Sequence, residues 1–481
     1  MMMNTDKIYK ACGMALIAAL CAGCTDDASL DGGVGGSQGG AYITLTVPSG
    51  ITPATRTVLP GQQNVQHATR IALYAFKHGD GETDTLKAKC IGGMSFDEVK
   101  WNQDLDHAMQ EDGTSTQSQR VSLTQRWGIS EANPDNWNAT YTFLAIGSDD
   151  VYATGEDGKY VNGQWAGSNS TAAYGLGADD YFSKDETLGD CYAELQDNKS
   201  VDDIHQSELF AGTLTCKGSE VAGKEINLYR RVAGVKGYFR RIPKEVGDEA
   251  VNELRVVYFN SQATSVPYFK RWPQGGIFSD YDKREGSPLN GVSVSKIPDD
   301  DPTDNTISKT DLDECTYFTI SKGASGEFVS QDGTAEAEDK ENEYDYVTAG
   351  SYVLPAPGAP TEGGKESTTL YVVLVSEPDA AANVKILKKY RVLFAEAYDT
   401  RSAETRTPGV TDQGTGVIVG QEPDKDALDR ERHYPIIANN YYTIGTAQEP
   451  IDMSTGETEV NIYVDPRWEG DNNLGGIIPK P

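Results

Sequence analysis

The chain has 481 residues, a formal net charge of −31 and a pI near 4.5. A surface this acidic repels polyanions, which argues against nucleic acid and anionic membranes as partners. Gly, Asp, Asn, Thr and Tyr are abundant and long helical periods are scarce, a mix that suits an all-β protein with many turns.

The first 23 residues read as a lipoprotein signal peptide. Lys7 and Lys10 precede an apolar run at 11–23 that is too short to span a bilayer. Leu20-Cys21-Ala22-Gly23-Cys24 resembles a lipobox, with Cys21 standing where a branched aliphatic is usual. Small residues let a processing peptidase approach the backbone, and the Cys24 thiol is the acceptor for diacylglycerol. The expected product is a lipidated protein, of the palmitate-bearing class, anchored in the outer membrane. Thr25-Asp26-Asp27 resembles the acidic signal that sends lipoproteins on to the cell surface. Residues 24–40 are the lipidated linker. The stretch from Thr25 to Gly40 is Gly/Ser-rich toward its end and reaches roughly 20–25 Å as a flexible chain.

About 440 residues remain, enough for two or three domains. Residues 41–47 alternate, with Ile43, Leu45 and Val47 on one face. Residues 70–76 alternate in the same way, and 140–146 and 208–216 read as buried strands. A second series begins at 225–242. It continues with 253–259, 368–375, 384–394, 439–446 and 459–464, where Val460, Ile462 and Val464 alternate. Polar insertions fill 97–137, 148–206, 279–312, 323–349 and 400–432, and are expected to decorate the ends of the domains. The pattern predicts two tandem β-sandwiches with long loop insertions, at 57–220 and 221–481, joined near 217–225.

Beyond Cys24 stand Cys90, Cys191, Cys216 and Cys315. An exported protein permits disulfides, and these four allow three pairings among which the spacing does not choose. There is no CxxC pair and histidines number five, so no structural zinc is expected. Asp299, Asp300, Asp301 and Asp304 lack the spacing of a calcium loop and read as solvated. Asp84-Thr85-Leu86 resembles a short bacterial O-glycosylation pattern, and reads better as a plain loop. No nucleophile elbow, phosphate loop, HExxH or dinucleotide fingerprint occurs. Neither an enzyme activity nor a cofactor is expected. Trp101, Trp127, Trp137 and Trp165 all fall in the N-terminal insertions, which leaves open a glycan-binding surface lipoprotein whose aromatics stack on sugars.

Several segments in order resemble the FimA-type fimbrillins, the subunits of type V pili. They are the lipoprotein signal with a strand after it, the strand-breaking Ala54-Thr55-Arg56 stretch, the 70–76 and 140–146 strands, and LFAG at 209–212. INLYRRVAGVKGYF at 226–239, HYPIIANNYYTIGT at 433–446 and EVNIYVDPRW at 459–468 complete the series. The resemblance implies transthyretin-like sandwiches and a structural role in a fimbrium serving adhesion. It implies an arginine-specific protease that cuts after the first strand, between Arg56 and Thr57, with Arg70 as the second choice. The segment 41–56, carrying Ile43, Leu45 and Val47, would leave with the lipid. A strand from another fimbrillin subunit would take its place. The preferred donor is Val460, Ile462 and Val464, with 472–479 as second choice. Stalk, tip and accessory positions, and the receptor, stay open.

Overall fold

Apolar side chains at every second position put one face of each segment into a core, and the chain answers with strands. A computed structural model describes residues 41–47, 70–96, 117–148, 152–154, 160–165, 173–176, 181–205, 207–258, 262–268, 305–331, 346–356, 370–393, 436, 438, 440–456 and 459–465. Cys24, the linker, Arg56, Thr57, Trp101, Asp299–Asp304 and 472–479 lie outside them.

The first half contains β1 (Tyr42–Val47), β2 (Arg70–Lys77), β3 (Lys89–Phe96), β4 (Gln117–Ser122), β5 (Thr140–Ser148), β6 (Tyr152–Thr154), β7 (Tyr160–Trp165), β8 (Tyr192–Glu194), β9 (Leu209–Lys217), β10 (Lys224–Asn227) and β11 (Tyr229–Arg230). The second contains β12 (Ala233–Arg240), β13 (Glu245–Val246), β14 (Glu249–Ala250), β15 (Glu253–Tyr258), β16 (Ser265–Pro267), β17 (Thr306–Ser308), β18 (Thr316–Ser321), β19 (Val347–Val353), β20 (Leu370–Val375), β21 (Asn383–Leu393), β22 (Tyr441–Ile444), β23 (Ile451–Asp452) and β24 (Glu459–Asp465). Among the described residues four short α-helices interrupt them: α1 (Leu123–Trp127), α2 (Pro134–Trp137), α3 (Val201–His205) and α4 (Lys309–Cys315). The protein is all-β and sandwich-like, as its alternation predicts.

In the first half a three-stranded sheet, β10-β1-β4, faces a five-stranded sheet, β11-β9-β5-β2-β3. Ile43, Leu45, Leu73, Tyr141, Phe143 and Phe210 belong to the core between them. The five-stranded sheet is buried on its other face too, through Tyr74, Phe76, Leu144 and Ile146. Burial on both faces is why β2 and β5 read as nearly continuous apolar runs. The chain changes sheets at Leu228, between β10 and β11. Gly212 on β9 permits the crossing, because a Cβ there would lie 2.1 Å from the Asn227 carbonyl oxygen.

The second half is built on one long path, β18-β15-β20-β21-β24-β22-β12-β19. The sheet curls, so that β18 and β19 approach each other around a core containing Val235, Phe239, Val256, Phe318, Val372 and Ile462. β10 and β11 still pair with strands of the first half, so the pairing passes to the second half only at 231–233, later in the chain than 217–225. The insertion at 148–206 is no end decoration throughout. Its residues Tyr174, Phe182, Leu188, Cys191 and Ile204 are buried in the core that also contains Val266, Tyr268, Tyr352 and Tyr441 of the second half.

All four cysteines beyond the linker are buried free thiols. Burial pushes the Cys216 thiol up to about 11 and the Cys315 thiol up to about 12, and it raises Cys90 and Cys191 as well. Only about one Cys216 in a thousand is then thiolate at pH 8, and the thiolate is the reactive form. Iodoacetamide at pH 8 is therefore expected to leave the native protein unlabelled and to modify all four after denaturation, read by intact mass. Native labelling of Cys315 would contradict this burial.

Candidate functional site: the seat of the first strand

β1 is the middle strand of its sheet. It runs parallel to β10, with Ile43 opposite Lys224 and Leu45 opposite Ile226. It runs antiparallel to β4, with Ile43 opposite Val121 and Leu45 opposite Gln119. Beyond the ladder, the Leu123 N–H donates to the Ala41 carbonyl at 2.9 Å. Ala41, Ile43 and Leu45 are buried, and Ile43 and Leu45 are each 0% exposed. Tyr42 and Thr44, on the opposite face, are half-buried. Burying the two aliphatic side chains stabilises by about 1.5–3 kcal/mol each.

Among the described strands β10 and β4 are joined through β1. Without it they stand two strand spacings apart, about 9.5 Å, with the core open between them. Their facing N–H and C=O groups lose their partners, and an open edge of this kind is a template for another strand. Among the described residues, the edges at β3 and β19 are covered. The Arg126 Nε donates to the Gly93 carbonyl on β3 at 2.8 Å, and main-chain bonds from 185–188 cover Ala88 and Cys90. Along β19, Ser330 accepts from the Thr348 N–H and the Gln331 side chain accepts from the Gly350 N–H. Loss of β1 therefore opens a defined site between β10 and β4, whereas the edges at β3 and β19 are covered.

β24 occupies a closely similar seat in the second half. It runs parallel to β21, with Val392 opposite Val460, and antiparallel to β22, with Ile444 opposite Ile462. Val460 and Ile462 are buried, while Glu459 and Asn461 are exposed. At Val47 and Val464 only the backbone is described; it pairs with Gln117 and Tyr442. Arg70 begins β2 and pairs with Ser148.

Of the four tryptophans in the N-terminal insertions, one is a core residue and a second is half-buried against the same core. Trp127 is 9% exposed and lies in the same cluster as Ile43 and Leu45, and Trp137 packs against that cluster. Trp165 ends β7. Asp84 accepts from the Leu86 N–H at 3.1 Å and caps a single 3₁₀ turn, an ordinary loop role. Among the described residues no group of three or more His, Cys, Asp or Glu is placed to hold a metal, and no helix is long and apolar enough to cross a membrane.

β1 is legible in the sequence, and its seat is not. Gln117–Ser122 carries one apolar residue, Val121, in a run of polar ones, and nothing local marks it as a strand. Leu123 and Trp127 of α1 follow directly, and both belong to the β1 core. Because Trp127 shares that core, release of β1 is expected to shift its emission to the red and to raise quenching by iodide. Unchanged emission from a subunit shown by mass to lack residues 41–47 would refute the seat described here.

The fold resembles several solved structures at low scores. One is a fimbrial assembly protein from Parabacteroides distasonis, 9% identical, with 88% of this chain and 94% of that one covered and a TM-score of 0.31. Another, from Bacteroides eggerthii and provisionally named a cell adhesion protein, is 10% identical, with 90% and 97% covered and a TM-score of 0.33. A third, from Bacteroides thetaiotaomicron and provisionally named a polysaccharide-binding protein, is 10% identical, with 84% and 91% covered and a TM-score of 0.30. No family model matches the chain, and no curated protein does. The class defined by fold and site is an all-β, sandwich-like protein whose first strand is seated between two others.

Proposed function

We propose that this chain is a structural subunit of a cell-surface fimbrium, serving adhesion rather than catalysis. It is made as a precursor lipidated at Cys24 and held in the outer membrane. An arginine-specific protease cuts it between Arg56 and Thr57, and β1 departs with the lipid. The seat between β10 and β4 then receives a strand from another subunit. The observation that carries this reading is the central position of β1, which is paired on both sides and buries Ile43 and Leu45.

β24 is the preferred donor. Its neighbours have the same polarity as those of β1, one parallel and one antiparallel, and its apolar residues alternate in the same way. Its departure would open the long sheet between β21 and β22, whereas a donor at 472–479 would leave that sheet whole.

The test uses cells fed a fatty-acid probe. Wild-type chain is expected to appear as a lipid-labelled precursor and as unlabelled filaments beginning at Thr57. Arg56→Ala is expected to leave labelled monomers, and Cys24→Ala to abolish labelling. Filaments of Arg56→Ala beginning at Thr57 or at Tyr42 would overturn the processing scheme. Cleaved wild-type subunits that stay monomeric at high concentration would overturn strand exchange.

A further inference from the structure

We propose that residues 181–205 form a strap that couples the two halves into one mechanical and cooperative unit. The strap is bonded through its main chain to both halves. Toward the first, Cys90 N–H donates to the Glu186 carbonyl at 2.8 Å, Asp185 N–H to the Cys90 carbonyl at 2.9 Å, and Leu188 N–H to the Ala88 carbonyl at 2.9 Å. Toward the second, β8 pairs antiparallel with β16, Leu195 N–H donates to the Thr264 carbonyl at 2.8 Å, and Tyr268 N–H donates to the Cys191 carbonyl at 3.1 Å. One segment thus makes an isolated antiparallel bridge to β3 at Thr187 and Lys89, and a two-stranded ladder with β16, within about ten residues.

Phe182 is the keystone. It is 5% exposed, and its ring lies 4.8 Å from Tyr74 and 6.3 Å from Phe76 on β2 of the first half. On the other side it lies 5.7 Å from Tyr268 of the second half, edge to face. Side chains reinforce the joint at its far end. His205 of α3 bonds to Gln262 at 2.7 Å, and Gln262 donates to the Thr316 carbonyl. Arg231, at the crossing between halves, donates to the Pro267 carbonyl at 2.7 Å, while its neighbour Arg230 pairs with buried Glu208. A lone covalent crossing at 231–233 would let the halves part under load. The strap adds ladder bonds and a shared aromatic core in parallel with that crossing.

The load itself is a consequence of the strand-exchange reading: tension enters at the seat of β1 in the first half and leaves through a donor in the second. The coupling is tested without that reading, on uncut monomers. In a calorimeter wild-type precursor is expected to unfold in one transition, with equal calorimetric and van't Hoff enthalpies. Phe182→Ala is expected to split the transition in two. Val256→Ala, in the core of the second half alone, is expected to lower the temperature of a single transition without splitting it. Two wild-type transitions, or a single one persisting in Phe182→Ala, would overturn the proposal. Should Phe182→Ala yield no folded protein, His205→Ala with Gln262→Ala weakens the joint at the periphery, and stretching of single molecules reads it directly. The wild type is then expected to give one long unfolding step and the double variant two shorter ones, and identical traces would count against the strap.

Discussion

Leu45→Asp in the uncut precursor is expected to release β1 without proteolysis. Leu45 is 0% exposed and lies between Gln119 of β4 and Ile226 of β10. Neither offers a charge to a buried carboxylate. Loss of the aliphatic side chain alone costs about 2–5 kcal/mol, and an unpaired buried charge adds to that or forces the group to take up a proton. The remainder of the core, Leu73, Tyr141, Phe143 and Phe210, does not depend on residue 45 for its chain path. The unfavourable term therefore falls on β1, which the fold can release as a segment. A synthetic peptide of residues 40–48 should then bind Leu45→Asp precursor at least ten times more tightly than wild type, in step with a red shift of Trp127. Thr44→Asp is the control. Thr44 is half-buried on the outward face, and a carboxylate there reaches water, so peptide binding should stay at the wild-type level. A Leu45→Asp protein that keeps Trp127 buried and refuses the peptide would show that β1 is an ordinary core strand.

Tying β24 to its neighbour is expected to stop filament growth completely. Arg391 and Glu459 are register partners across β21 and β24, and their side chains meet in an ion pair at 3.7 Å. Both are substantially exposed, so replacing the pair costs no more than about 1 kcal/mol. Adjacent strands bring Cα atoms within the range a disulfide spans. Arg391→Cys with Glu459→Cys, oxidised, should therefore give processed subunits that accept a strand and do not donate one, with assembly restored by a reductant. The buried native thiols do not interfere, because burial keeps them protonated. The readout is filament length by electron microscopy before and after reduction. Unimpeded growth of the oxidised protein would transfer the donor role from β24 to 472–479.

Local alternation, or a short apolar run where both faces are buried, makes β1, β2, β5, β9, β12, β15, β20, β21, β22 and β24 legible in the sequence, because each carries enough apolar residues to declare itself. β3 is hidden by Gly92 and Gly93, which break the pattern, and β4 by its polar residues. β19 escapes because Ala349, Gly350 and Ser351 give its centre no apolar period, although every one of its residues is buried. These strands exist because a partner was already there to pair with them, and strand propensity is mostly a statement about such neighbours.

The same division holds for function. The sequence by itself determined an all-β chain, the alternating first strand with Ile43 and Leu45, and the C-terminal strand with Val460 and Ile462, since period-two burial is written in adjacent residues. Only the tertiary structure decided that β1 sits between β10 and β4, strands whose nearest residues lie far along the chain, and that β24 has neighbours of the same polarity. It also decided that 181–205, polar enough to pass for a surface insertion, is bonded to both halves and buries Phe182 between them. Hydrogen-bond partners and ring contacts across such separations follow from the closure of the whole chain, which no window of residues contains.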